Sequence, residues 1–278
     1  MNKPHSTPIR QSGDATNAPS AANAVEPTVI FVSDSHFHLK PDNAELDRLQ
    51  QFYALLELSH QVDHLVLVGD IFDFWFDYPH FRLRGYDRLL SALDQVRDAG
   101  TQMHFIGGNH DIWAAEFFHR RYQCAAGGQS RTINFGSRRV HLTHGDGLLK
   151  FDWAYNSFRA IVRTRLGIAL AKALHPEILF QFSSWLSGHS RGANRDEAKG
   201  IEKMSKRWFE KQTDPDWDLM IVGHVHHGVL LEKDSRKFVS LAGWFDPLSY
   251  GLLQNGDFQL LDFSRDPRPI FTIDSPRR

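Results

Sequence analysis

Five short hydrophobic runs in this chain of 278 residues each end in Asp, Asn or His. Apolar runs followed by a glycine or a polar turn are typical of strands that are buried on both faces of a sheet. In open α/β sheets the carboxyl ends of the strands form the edge where ligands bind. One sheet edge that collects this many ligand-type residues predicts a metal site. The runs cover residues 29–32, 65–68, 103–106, 140–143 and 219–222.

Composition limits the class of protein. The net charge of −1 gives no global argument for binding to nucleic acid, and we expect no nucleic-acid partner. The single cysteine, Cys124, cannot form an internal disulfide or a cysteine-based zinc site, which favours a reducing compartment such as the cytoplasm. No apolar run approaches the roughly 18 residues of a membrane-spanning helix. The length is suited to one large domain with an insertion.

The chain is predicted to contain an N-terminal extension and one domain. Residues 1–27 are rich in Ala, Ser, Asn, Thr and Pro and lack the apolar core of a signal peptide, so we expect disorder there. Residues 28–278 form the domain. Its first helix, 43–60, has an apolar face that we expect to include Leu46, Leu49 and Phe52. Further helices are predicted at 86–99 and 113–122, a hairpin at 132–142, and later strands near 229–233, 237–242, 250–253 and 258–263.

Residues 150–213 interrupt the alternation of strands and helices. Apolar spacing, Pro176 and the N-cap pattern from Asn194 to Glu197 predict three helices in this segment. It contains twelve Lys and Arg against six Asp and Glu, a local net charge of +6. A solvated surface subdomain would explain this composition. Two features favour a functional surface instead. The basic excess matches an anionic substrate and an anionic membrane, and the Trp, Phe and Leu residues exceed what three short helices must bury.

Seven of the residues at the predicted strand ends have metal-ligand chemistry. His144 or His224 alone would more often be a structural histidine, but the joint occurrence favours a site. Oxygen and nitrogen donors without sulfur suit Mn²⁺, Fe²⁺ or Zn²⁺. Two cations about 3.5–4 Å apart need an anionic bridge, for which Asp70 is the natural candidate. The seven residues are Asp34, His36, Asp70, Asn109, His144, His224 and His226.

The motifs resemble those of the calcineurin-like metallophosphoesterases over about residues 28–263. The resemblance implies an α/β fold, a four-layer α-β-β-α sandwich in which residues 150–213 form a helical lid. It also implies two divalent metal ions, for which we expect Mn²⁺, with Fe or Zn as alternatives. The matching motifs are Asp34-x-His36, Gly69-Asp70, Gly108-Asn109-His110-Asp111, His144 and Gly223-His224-x-His226.

The resemblance also implies a role for each residue. His110 would face the phosphate, with Asp111 orienting it, and the cations would activate a water molecule. Asp73 and Asp146 are expected to support the ligands without binding metal. One ion would be held by Asp34, His36, Asp70 and His226, and the other by Asp70, Asn109, His144 and His224.

The aromatic run after Asp70, the segment around His144 and the basic insertion resemble the UDP-2,3-diacylglucosamine diphosphatases of lipid A biosynthesis. That family cleaves a pyrophosphate bond in a nucleotide-linked lipid, which implies peripheral contact with the inner face of an anionic inner membrane. The best-known branch of that family has arginine at the position of His110. The motifs therefore specify the reaction chemistry more closely than they specify the substrate. Candidate substrate contacts are Trp75, Phe76, Lys150, Arg163 and Arg191, although Trp75 and Phe76 could equally be core residues.

Two other functions remain open from the sequence. The chain could be a different metallophosphoesterase, acting on small nucleotides or phosphoproteins, or a non-catalytic scaffold that retains the fold. A scaffold could lose ligands, whereas all seven positions are occupied here. The oligomeric state is not predicted. The other histidines, His38 among them, are interpreted as structural or surface residues.

Overall fold

The computed structural model describes residues 25–76, 84–124, 130–148, 164, 195–213, 215–245 and 247–264. Most of the predicted N-terminal extension lies outside these residues, as do the first two helices predicted for the insertion. Lys150, Arg163 and Arg191 also lie outside them. Within the described part of the chain, no helix is both long enough and apolar enough to cross a membrane.

Strands and helices form close to their predicted positions. The helices are α1 (Asn43–Leu58), α2 (Asp87–Asp98), α3 (Ala114–Tyr122) and α4 (Arg195–Glu210). The strands are β1 (Val29–Val32), β2 (His64–Leu67), β3 (Gln102–Phe105), β4 (Ser130–Phe135), β5 (Arg138–Thr143), β6 (Leu219–Val222), β7 (Val229–Lys233), β8 (Arg236–Ser240), β9 (Ser249–Gln254) and β10 (Asp257–Asp262).

The strands form two five-stranded mixed sheets. The first has the order β10-β9-β1-β2-β3, with β1, β2 and β3 parallel, and the second has the order β4-β5-β6-β8-β7. The five ligand-bearing runs therefore lie in two sheets, not in the single sheet expected. Side chains such as Phe31 and Val66 from the first sheet and Leu142, Ile221 and Val239 from the second form one buried apolar layer between the sheets.

Helices cover both outer faces of this sandwich. On the first sheet, Phe52 of α1, Leu93 of α2 and Phe118 of α3 belong to the same buried cluster as Leu65. On the second sheet, Phe209 of α4 clusters with Met220, Val222 and Phe238. The four-layer α-β-β-α arrangement is thus confirmed.

Helix α1 buries the predicted apolar face except at its first position, Leu46. Leu46 is 42% exposed, whereas Glu45 is only 5% exposed and shares the buried face with Leu49 and Phe52. The Asp42 side chain caps the helix by accepting a hydrogen bond of 2.8 Å from the Glu45 amide. The assignment of Leu46 to the core was therefore wrong, because a charged residue takes the inward position.

Candidate metal centre

The loops that leave β1, β2, β3, β5 and β6 bring all seven predicted ligands together. Asp34 and His36 follow β1, and Asp70 follows β2. Neighbouring loops are linked through the backbone, because the Asp34 amide donates to Gly69 O (3.0 Å) and the His36 amide to Asp70 O (2.9 Å). The other loops supply Asn109, His144, His224 and His226.

The first group of ligand atoms comes from Asp34, His36 and His226. The Nε2 atoms of the two histidines are 3.1 Å apart. Asp34 Oδ1 lies 3.3 Å from His226 Nε2 and 3.9 Å from His36 Nε2. One donor atom from each residue lies within 4.8 Å of the others, which is close enough for all three to bind one cation.

The second group comes from Asp70, Asn109, His144 and His224. Asp70 Oδ2 lies 3.2 Å from His144 Nε2. Asn109 Oδ1 lies 3.2 Å from His144 Nε2 and 3.0 Å from His224 Nδ1. The donor atoms of Asp70, His144 and His224 fall within 4.8 Å of one another. This group could hold a second cation.

Asp70 lies between the two groups. Its Oδ2 atom is 3.2 Å from His144 in one group and 3.7 Å from His36 Nε2 in the other. The combined donor set of carboxylate and amide oxygens with imidazole nitrogens suits Mn²⁺, Fe²⁺ or Zn²⁺. The side chains therefore fit a pair of divalent cations that share the Asp70 carboxylate.

Five of the predicted ligands have left-handed backbone conformations. Their φ angles lie between 44° and 70°, a region that non-glycine residues rarely adopt. Each such residue costs about 1–3 kcal/mol and persists where the surrounding structure enforces it. These residues are Asp34, His36, Asp70, His224 and His226.

Two glycines leave room for the ligands. Gly69 has a φ of 84°, and a Cβ at this position would lie 2.6 Å from His144 Nδ1. A Cβ on Gly108 would lie 2.1 Å from Asp70 Oδ1 and 2.5 Å from the Asp70 amide nitrogen. Neither position can accept a side chain without displacing Asp70 or His144.

We expect Gly108→Ala to reduce the metal content by at least tenfold, because the new methyl group must displace the Asp70 carboxylate. Metal analysis of the purified variant by mass spectrometry, with circular dichroism as a check on folding, measures this effect. Gly200→Ala is the control, since a Cβ there meets nothing within 4 Å. A Gly108→Ala protein that keeps its full metal content would contradict the close packing.

Burial sets the charge of several ligands. Burial lowers the pKa of His36 well below its usual range and that of His224 to about 4, so both imidazoles are neutral near pH 7. Burial alone would lower the pKa of His144, but the Asp70 carboxylate raises it well above its usual range. A cation at this group must therefore displace a proton, which makes its binding dependent on pH.

The ring of His110 is held by Asp73. His110 Nδ1 donates to the main-chain oxygen of Asp73 at 2.8 Å, and the His110 amide donates to Asp70 Oδ1 at 2.8 Å. The Asp111 carboxylate instead accepts hydrogen bonds from the amides of Gly108 (2.9 Å), Asp70 (3.1 Å) and Ile71 (2.8 Å). The expectation that Asp111 orients the His110 ring is corrected here: Asp111 fixes the backbone of the two loops.

Comparison with known proteins is consistent with this geometry. Residues 27–228 match the family model described as calcineurin-like phosphoesterase. The chain belongs to that family. A protein of Porphyromonas gingivalis named UDP-2,3-diacylglucosamine hydrolase is 26% identical over 247 residues, covering 81% of this chain and 93% of its own length. A protein of Chromohalobacter salexigens with the same name is 29% identical over 224 residues, covering 78% and 89%.

Among solved structures, the phosphoesterase Yfce from E. coli is similar to this phosphoesterase with a TM-score of 0.43 and 16% sequence identity. The similarity covers 86% of this chain and 94% of that one.

Two aromatic residues that were candidates for substrate contact lie in the core of this phosphoesterase. Trp75 is 4% exposed and packs on Phe72 and Tyr86, with ring centroids 4.7 Å and 5.9 Å away. Phe76 is 3% exposed and meets Trp113 edge-on at 4.7 Å. Their placement agrees with the alternative interpretation as core residues.

Sequence reasoning missed three residues that support the site. Arg48 donates to the main-chain oxygens of Ser35 (3.0 Å) and Trp244 (2.7 Å), and so joins two loops beside the ligands. Its guanidinium also lies 4.8 Å from the ring of Phe245, which stacks on His36. The other two are His38 and Glu45. The sequence carried one signal for Glu45. It lies four residues before Leu49, a spacing that places both side chains on the same, buried face of α1.

Proposed function

We propose that this phosphoesterase hydrolyses the pyrophosphate bond of UDP-2,3-diacylglucosamine, releasing UMP and 2,3-diacylglucosamine 1-phosphate. The observation that carries the proposal is the pair of ligand groups joined by Asp70, with His110 beside them. The names of the relatives, which match about four-fifths of the chain, support this choice of substrate.

The site residues would hold two divalent ions, which we propose to be Mn²⁺. Asp34, His36, Asp70 and His226 would hold one ion, and Asp70, Asn109, His144 and His224 the other. When bound, such ions polarise phosphoryl oxygens and make water a stronger nucleophile near neutral pH. The protein orients its donors beforehand. For example, His144 Nδ1 donates to Val68 O at 2.9 Å, which leaves Nε2 directed at Asp70.

His110 is proposed to act on the substrate itself. Because its Nδ1–H is used in the bond to Asp73 O, Nε2 is the nitrogen that would meet the phosphate. In its protonated form it would stabilise the developing negative charge or protonate the departing group, either of which favours cleavage. The ring lies 4.6 Å from the ring of His36, at the border of the metal centre.

The basic insertion is proposed to receive the lipid part of the substrate. Lys150, Arg163 and Arg191 remain candidate contacts from the sequence. Helix α4, at the end of the insertion, exposes Lys199, Lys203 and Lys206. A positive surface of this kind favours contact with an anionic membrane.

We expect the protein to sediment with anionic vesicles and to dissociate as salt is raised, because each basic residue near such a surface contributes about 1 kcal/mol. The double variant Lys203→Glu/Lys206→Glu should bind such vesicles at least tenfold more weakly. Lys233→Glu, exposed on β7, is the control. Binding to neutral vesicles that equals binding to anionic vesicles at every salt concentration would contradict membrane contact.

The test of the whole proposal is phosphorus NMR of the purified protein with Mn²⁺ and UDP-2,3-diacylglucosamine in ¹⁸O-labelled water. We expect the label to appear in UMP, at a rate well above that for a simple aryl phosphodiester. Such a result would identify both the substrate and the phosphorus that is attacked. Turnover of the aryl phosphodiester alone would overturn the lipid substrate while leaving a metallophosphoesterase.

A further inference from the structure

We propose that Glu45 and His38 are positioning residues for His110, acting through Asp73. The proposal rests on the role suggested above for His110. It adds two residues outside the motifs, one from the loop after β1 and one from the first turn of α1. Together with Asp73 they form a polar chain, buried at Glu45 and Asp73, that leads from the helix layer to the edge of the metal centre.

Glu45 holds His38 by both of its carboxylate oxygens. Oε1 accepts a hydrogen bond from the His38 amide and Oε2 accepts one from His38 Nδ1, each at 2.5 Å. The Glu45 side chain is only 6% exposed, whereas that of His38 is 30% exposed. Two contacts from one buried carboxylate fix both the backbone and the ring of His38.

The other ring nitrogen of His38 faces Asp73. His38 Nε2 lies 3.6 Å from Asp73 Oδ2, and Asp73 Oδ1 lies 3.9 Å from His110 Nδ1. The main-chain oxygen of Asp73 accepts the hydrogen bond from His110. Asp73 is 2% exposed and stands between the two imidazoles. A shift of His38 would therefore reach His110 through a single residue.

The backbone joins the same segments. The Asp73 amide donates to Phe37 O at 3.0 Å, and the Phe37 amide donates to Ile71 O at 3.1 Å. Residues 37–38 and 71–73 are thus paired side by side. Because the loop that carries His38 is tied to the loop that carries Asp73, the ring contacts and the backbone contacts fix the same geometry.

Fold stability alone does not explain a buried glutamate at this position. Helix α1 is already capped by Asp42, and Leu49 and Phe52 already pack into the core. A buried carboxylate is unfavourable unless it is hydrogen-bonded, so an apolar side chain would serve packing better. The acidic residue is accounted for by the position it gives to His38 and, beyond it, to Asp73 and His110.

The test compares His38→Asn in the full chain with the same change made in a His110→Ala background. Asn can keep the bond to Glu45 but cannot reach Asp73. We expect kcat for an aryl phosphodiester and for UDP-2,3-diacylglucosamine to fall about tenfold in the first case, with KM within twofold. In the His110→Ala background we expect His38→Asn to change kcat less than twofold, because His38 acts through His110.

His119→Asn is the matched control, since its ring also donates to a main-chain oxygen, that of Cys124. We expect it to change kcat less than twofold in either background. Equal losses from His38→Asn in both backgrounds would show a merely structural role and overturn the proposal. If His38→Asn does not fold, Glu45→Gln carries the same comparison, because glutamine keeps only one of the two acceptor oxygens that hold His38.

A spectroscopic measurement decides the question without turnover. In ¹⁵N-histidine NMR spectra of the protein loaded with diamagnetic Zn²⁺, we expect the His110 Nδ1 resonance to move in His38→Asn and to stay in place in His119→Asn. An unmoved resonance in His38→Asn overturns the proposal. If only the aryl phosphodiester is hydrolysed, the lipid substrate is wrong, whereas the diester rates and the spectra still decide the role of His38.

Discussion

Asp70→Ala is expected to lose both metal ions and more than about 10³-fold in turnover, since removal of one electrostatic contact at a reacting centre alone costs about 10²–10³-fold. Asp70 Oδ2 lies 3.7 Å from His36 and 3.2 Å from His144, so its carboxylate serves both ligand groups. Without it, two cations would repel each other with no shared anion between them. Metal analysis by mass spectrometry and initial rates on an aryl phosphodiester measure the two effects.

Asp98→Ala is the matched control for Asp70→Ala, because the Asp98 side chain is 65% exposed at the end of α2. Circular dichroism should confirm that both variants fold. The Asp70 carboxylate also accepts the His110 amide, so some loss of thermal stability is expected in the variant. An Asp70→Ala protein that keeps two ions and turns over at a tenth or more of the normal rate would overturn the bridging assignment.

His110→Ala is expected to keep its metal ions and to lose about two to four powers of ten in kcat. The backbone amide of His110, which donates to Asp70 Oδ1, is retained by an alanine, so the ligand groups should survive. What the variant loses is the imidazole held by Asp73 O. Metal content and kcat, measured on the same preparation, separate these two properties.

His119→Ala, on α3, is the control for His110→Ala and should change kcat less than twofold. Two outcomes would contradict the assignment of His110. If the variant loses its metal ions, the ring supports the metal centre itself. If kcat falls less than tenfold with both ions present, the ring takes little part in the reaction.

The clustering of the predicted ligands could be anticipated because each of them follows a strand within a few residues. A strand fixes the position of its own carboxyl end, so Asp34, Asp70 and His224 could be placed together from hydrophobic runs alone. The four layers were implied by the family resemblance and not by the strand pattern. The strand pattern alone favoured one sheet, because the division into two sheets depends on which strands pair.

The supporting residues were not predictable because their contacts depend on orientation. Glu45 and Leu46 are about 100° apart around α1, and apolar spacing favoured Leu46, although Glu45 takes the buried position. The family resemblance implied that Asp111 orients His110, but the Asp111 carboxylate accepts from the amides of Gly108, Asp70 and Ile71. Contacts between separate loops join residues that are distant in sequence, and local sequence patterns do not predict them.

Each ligand group draws residues from both sheets. Asp34 and His36 come from the first sheet and His226 from the second, while Asp70 comes from the first and His144 and His224 from the second. A bound ion would therefore cross-link the two sheets of the sandwich. Ions that bind the folded chain more tightly than the unfolded chain stabilise it by mass action. Metal binding and the folding of the whole domain are thus coupled equilibria.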